Sequence, residues 1–226
     1  MKRYLGPALL ALLAACGTRD AGGSRGGAEA ASAEPRDTRP VILFLGTSLT
    51  AGLGVSPDQA YPALIQQKLD SARLAFRVVN AGVSGETSSD ARARIGWLLR
   101  SDPAVLVVET GANDGLRGLS VDALRANLDT ILATAERHEP APRLLVIGMQ
   151  APPNLGRRYA DAFRAVFPDE AARHHAALVP FLLRDVGGVD SLNQADGIHP
   201  TAAGHRILAE TVWPVFKGVV RADSAS

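Results

Sequence analysis

The chain has almost no cysteine: one residue, Cys16, in 226. No disulfide can form within it, so a loop-rich fold held by a disulfide framework is excluded. Aromatic residues make up only 5%, too few for a base-stacking surface. The formal net charge is +1 and there is no long basic run, so nucleic acid and other polyanions are not expected partners. The apolar run over residues 5–15 is too short to span a bilayer comfortably. There is no Gly-x-x-x-x-Gly-Lys phosphate loop, and the segment around Ser48, Gly46-Thr47-Ser48-Leu49-Thr50, does not read as the Gly-x-Ser-x-Gly nucleophile elbow. His174 and His175 are neighbours in a helical pattern and do not share a helix face, so neither a metal nor another cofactor is expected.

What is present begins at the N terminus. Lys2 and Arg3 precede the short apolar run, which ends in Leu13-Ala14-Ala15-Cys16-Gly17. This resembles a bacterial lipobox, in which the cysteine is lipidated and becomes the first residue of the mature protein. The alternative is an ordinary secretory signal cleaved after the small residues. Residues 1–16 are therefore expected to be a lipoprotein signal peptide ending at Cys16. The chain would be exported to the periplasmic side and held at a membrane by its lipid. Gly17 favours the outer membrane over the inner. Residues 17–40, rich in Gly, Ala, Ser, Arg and Glu without apolar periodicity, read as a flexible tether. Residues 41–220 read as one domain and 221–226 as a tail. With 46% hydrophobic and 21% charged residues, the composition is that of an ordinary globular protein with a sizeable core.

Inside the domain, continuous apolar runs cover 41–45, 76–79, 104–108, 144–147 and 178–182. The first suits a strand buried on both faces of a parallel sheet. Helical patterns lie between them, over 59–71, 88–99, 121–137 and 157–176, and a last one runs over 201–216. Strands alternating with helices predict an α/β fold: a three-layer α/β/α, flavodoxin-like sandwich on a mostly five-stranded parallel sheet. Sites in such sheets form at the carboxyl ends of the strands.

Four segments fall where such a site would be. Gly46-Thr47-Ser48-Leu49-Thr50-Ala51-Gly52 follows the first run. Ser48 there is either an exposed nucleophile at a sheet edge or a helix N-cap, and alone it reads more simply as the cap. Asn80-Ala81-Gly82-Val83-Ser84-Gly85-Glu86-Thr87-Ser88 follows the second. It is a turn into a capped helix, or a place where a backbone amide approaches a ligand. Gly111-Ala112-Asn113-Asp114-Gly115-Leu116-Arg117-Gly118 follows the third, where Asn113 is a turn residue or a neutral amide donor to a developing oxyanion. Asp196-Gly197-Ile198-His199-Pro200 precedes the last helix. Asp and His three apart can sit side by side, the carboxylate orienting the imidazole. Pro200 suits a helix's first turn. Of the five histidines, His138, His174, His175 and His205 lie in helical patterns and read as solvated.

Taken in this order, the four segments resemble the signature blocks of the SGNH, or GDSL-like, hydrolase family. The similarity extends to Ala60-Tyr61-Pro62-Ala63-Leu64, Ser84-Gly85-Glu86-Thr87-Ser88, Asn113-Asp114-Gly115-Leu116-Arg117-Gly118 and Gly156-Arg157-Arg158-Tyr159, and covers about 41–220. It implies a serine hydrolase of acyl esters and thioesters, with aryl esters and lysophospholipids among the expected substrates. It implies Ser48 as nucleophile, and an oxyanion hole made by the Ser48 and Gly85 amides and the Asn113 side chain. It further implies His199 as base and then acid, and Asp196 as its orienter. No metal or cofactor is implied, and a monomer is expected. Thr47 departs from the family pattern, which has aspartate there. The alternatives are a carbohydrate acetylesterase of the same fold and a non-catalytic acyl-binding lipoprotein.

Overall fold

The computed structural model describes residues 37–221. The expected signal peptide, Cys16 and most of the expected tether lie outside them, as do residues 222–226 of the expected tail, while Arg221 is described. Five strands, β1 (Val41–Gly46), β2 (Arg77–Gly82), β3 (Val105–Glu109), β4 (Arg143–Ile147) and β5 (Ala177–Val179), form one sheet in the order β2-β1-β3-β4-β5. Every pairing is parallel. This is the doubly wound order, in which the direction of winding reverses beside β1 and opens a crevice at the carboxyl ends.

The helices are α1 (Ser48–Ala51), α2 (Tyr61–Ser71), α3 (Ser88–Leu98), α4 (Ala112–Leu116), α5 (Val121–Glu136), α6 (Arg157–Arg173) and α7 (Ala202–Arg221). α2 packs with α7, while α3, α5 and α6 pack in succession, so two helical layers sandwich the sheet. The central strands are apolar throughout because helices cover both their faces. Ile42, Phe44, Leu45, Val105, Leu106 and Val107 are wholly buried. Phe44 meets Tyr61 edge-on at 5.7 Å and stacks on Phe216 at 6.0 Å, which joins β1 to α2 and α7. Truncating such an aromatic core side chain typically costs about 3–5 kcal/mol.

Several boundaries differ from the sequence expectation, among them the start of α2, at Tyr61 rather than 59, and the end of α6, at Arg173 rather than 176. β5 stops at Val179 because Pro180 has no N–H to continue the ladder. The last helix begins at Ala202, after Pro200 has paired in an isolated bridge with Asn193, and it continues through Pro214 to Arg221. Among the described residues, no helix is long and apolar enough to cross a membrane.

Candidate active site

Ser48 is the first residue of α1, at the carboxyl end of β1. His199 lies 151 positions away, in the loop before α7, yet its Nε2 is 3.0 Å from Ser48 Oγ. Its Nδ1 is 2.6 Å from Asp196 Oδ2. The other Asp196 oxygen accepts the backbone N–H groups of Ile198 at 2.9 Å and His199 at 3.0 Å. Those backbone bonds, with the imidazole contact, hold the Asp196 carboxyl well below the usual carboxylate range although it is exposed. A carboxylate that stays ionised and faces Nδ1 favours the tautomer whose Nε2 accepts, which leaves that nitrogen directed at the serine.

Gln194 ties this loop to the rest of the molecule. Its Nε2 donates to the Leu53 carbonyl at 2.7 Å and to the Pro200 carbonyl at 3.0 Å, while its own N–H donates to the His199 carbonyl at 2.7 Å.

Ser48, Gly85, Asn113 and His199 line one cleft of about 630 Å³. Gly85 takes φ +81, a left-handed conformation that glycine adopts without strain, and its carbonyl accepts from Arg117 at 2.8 Å. One Asn113 amide hydrogen goes to the Glu86 carbonyl at 2.9 Å, which orients the side chain and leaves its second hydrogen for another acceptor. The loops after β2 and β3 are themselves joined. Buried Asp114 accepts the Ser88 N–H at 2.8 Å and the Ser88 hydroxyl at 2.6 Å. Glu86, also buried, forms a two-pronged ion pair with Arg94. The charged residues of the sequence blocks thus hold the loops on which the neutral donors sit.

Sequence reasoning missed the groups beneath Ser48. Glu109, the last residue of β3, is wholly buried, and it accepts from Thr47 N–H at 2.8 Å, from Thr47 Oγ1 at 3.0 Å and from Thr50 Oγ1 at 2.8 Å. Tyr61 Oη lies 2.8 Å from Thr50 Oγ1. A glutamate closing an apolar run gives no sign of these partners, which lie 59 and 62 positions away. Burial pushes the Glu109 carboxyl up against the opposing effect of those hydrogen bonds, and pushes the Tyr61 phenol up further.

Two of the histidines expected to be solvated are buried. His205 is fully covered: its ring stacks on Tyr61 at 6.4 Å, and its Nδ1 accepts the Tyr61 N–H at 3.3 Å. His174 sits between α5 and α6, with Glu136 3.0 Å from Nδ1 and Asp129 3.1 Å from Nε2. Among the described residues, Asp129, Glu170 and His174 form the one group spaced to hold a metal ion. Glu170 is already paired with Arg125 at 3.1 Å and Arg173 at 3.4 Å, so the cluster has cations of its own.

Comparison with known proteins gives the family and the fold. Residues 44–207 match the model of the GDSL-like Lipase/Acylhydrolase family. The chain is 45% identical over 177 residues to Esterase TesA of Pseudomonas aeruginosa, covering 78% of this chain and 87% of that protein. It is 36% identical over 184 residues to Thioesterase 1/protease 1/lysophospholipase L1 of Escherichia coli K12, covering 81% and 86%. Among solved structures, a TesA crystal structure superposes with a TM-score of 0.76 at 43% identity, covering 79% of this chain and 99% of that one. The psychrotrophic esterase EstA from Pseudoalteromonas sp. superposes with a TM-score of 0.74 at 30% identity, covering 79% and 97%.

Proposed function

The chain belongs to the GDSL-like lipase/acylhydrolase family and is a hydrolase of ester bonds, and from that premise we propose that it cleaves acyl esters and thioesters through a Ser48–His199–Asp196 triad. The observation that carries the reading is His199, which bridges Ser48 Oγ and Asp196 Oδ2 at 3.0 and 2.6 Å beside the cleft. His199 Nε2 takes the hydroxyl proton as Ser48 Oγ attacks the acyl carbonyl carbon. The carbonyl oxygen becomes an oxyanion facing the Ser48 and Gly85 amides and the free Asn113 amide hydrogen. His199 then hands its proton to the leaving alcohol or thiol. A water, deprotonated by the same nitrogen, attacks the acyl-enzyme carbonyl, and His199 returns that proton to Ser48 Oγ as the ester bond breaks and the acid leaves.

The cleft supports an apolar acyl group as substrate. Leu49, Leu53, Leu116, Met149, Phe181 and Leu183 are among its lining, and Leu53 and Leu116 are exposed at its mouth. Medium-chain acyl esters and thioesters, aryl esters and lysophospholipids fit such a lining, and the names of the relatives cover the same range: esterase, thioesterase, lysophospholipase and arylesterase. Export and lipid anchoring at Cys16 belong to the same proposal; the mass of the mature N terminus tests them.

The central test is Ser48→Ala assayed on p-nitrophenyl octanoate, with acetyl-xylan as the contrasting substrate. Loss of octanoate hydrolysis and of fluorophosphonate labelling supports the reading. Undiminished turnover overturns it, and a parental enzyme active only on acetyl-xylan replaces the substrate class. Asn113→Ala should lower kcat about a hundredfold to a thousandfold with little change in melting temperature.

A further inference from the structure

We propose that Glu109 is a positioning residue for Ser48, a role that rests on the serine-nucleophile reading above. Its donors come from both sides of the serine. Oε2 accepts the N–H of Thr47, the residue before Ser48, at 2.8 Å, and the hydroxyl of Thr50, two residues after it, also at 2.8 Å. The Thr47 hydroxyl lies 3.0 Å from each carboxylate oxygen. One side chain on β3 therefore brackets the nucleophile turn that leaves β1. The Thr47–Ser48 peptide also carries the Ser48 N–H assigned above to the oxyanion, so holding Thr47 aims that donor as well.

The direction of each bond follows from the donor inventory. Thr50 has a single hydroxyl hydrogen, and it goes to Glu109. Tyr61 must then donate to Thr50, and a phenol pushed to high pKa keeps the proton it needs to do so. The same turn is held from a third side, where Asn80 Nδ2 donates to the Thr50 carbonyl at 2.7 Å. Gly46 completes the arrangement. A Cβ there would sit 2.0 Å from Thr50 Oγ1 and 2.9 Å from Glu109 Oε2, so only glycine leaves room for the hydroxyl and carboxylate to meet.

A buried carboxylate is costly unless its lone pairs are satisfied. Among the described residues, Glu109 meets hydroxyls and an amide rather than a cation. An apolar residue would have finished β3 at less expense in desolvation. What glutamate adds is a rigid, directional acceptor under the residue whose placement limits the chemistry. Thr47 suits this carboxylate because it brings a hydrogen-bond donor. An aspartate at 47, as in the family pattern, would face Glu109 with a second carboxylate, and the two would have to share a proton. Threonine faces it with a donor.

The test uses the full chain with Glu109→Ala, Glu109→Gln, Thr47→Val and Thr47→Ser, each melted and then assayed on p-nitrophenyl octanoate beside Ser48→Ala. A displacement of about 1 Å at a reacting group can cost about a hundredfold in rate. Glu109→Ala is accordingly expected to lower kcat about a hundredfold, and Thr47→Val about tenfold, with KM within about twofold of the parent. Glu109→Gln, which keeps an acceptor oxygen, should retain kcat within about tenfold, and Thr47→Ser, which keeps the donor, within about twofold. If Glu109→Ala does not fold, the contrast between Thr47→Val and Thr47→Ser decides. Parental kcat in Thr47→Val, with Ser48→Ala inactive, overturns the positioning role and leaves the nucleophile reading intact. An active Ser48→Ala overturns both.

Discussion

The two halves of the triad are held in different ways. Ser48 sits on a turn whose neighbours Thr47 and Thr50 are wholly buried and bonded to a carboxylate from another strand. His199 and Asp196 sit in a largely exposed loop whose bonds are mostly to itself, with a glutamine side chain reaching back to the Leu53 carbonyl. The nucleophile takes its position from the core. The base takes its position from a single turn, in which residues three apart meet whatever the rest of the fold does. A change on the first side should therefore disturb stability and chemistry together, whereas a change on the second should disturb chemistry alone.

Asp196→Asn gives the largest separation of the two. It should lower kcat by about a thousandfold to ten-thousandfold, because an amide supports the wrong imidazole tautomer, while the melting temperature stays within about 1 °C of the parent. A large drop in melting temperature would show that the loop contributes to folding after all. Gly46→Ala probes the other side. The new methyl meets Thr50 and Glu109, so overpacking of about 1–3 kcal/mol and a fall in kcat should appear in the same variant. An intact melting curve with a low kcat would erase the distinction between the two sides.

Gln194→Ala cuts the link between them. A fall in kcat of about tenfold, with unchanged melting, is expected from the looser base. The smallest effect is on pH dependence. Burial first, and the nearby His199 second, push His205 down to about 4 from an ordinary 6.5. Between those values the unfolded chain binds a proton that the folded chain refuses, so stability falls as the pH drops from 6.5 towards 4. In His205→Asn, which keeps an acceptor for the Tyr61 amide, melting temperature plotted against pH should be flatter over that window.

The same division explains what could be read from the chain beforehand. Asp196 and His199 were legible because their geometry is local, and the α/β alternation was legible because buried parallel strands are apolar throughout. The family resemblance then gave Ser48, Gly85 and Asn113 their expected roles, and the cleft brings all three together with His199. Glu109 was not legible, since its meaning lies in residues on another strand's turn. His205 was misread because helical periodicity does not say that Tyr61 lies opposite it. β5 ends at Val179 although the apolar run continues to Leu182, because Pro180 interrupts it.

The Gln194 link has a consequence for how the protein ages. Proteins open locally, at free energies far below that of global unfolding, wherever few buried contacts hold the backbone. A largely exposed loop stitched mainly through the side chains of half-buried Gln194 and buried Asn193 belongs to that low end, while the serine beneath it shares the fate of the core. Heating should therefore silence the enzyme reversibly before it unfolds. Amide exchange at 194–199 would report the loss, and a working ceiling set by this loop's few anchors could be raised without repacking the sheet.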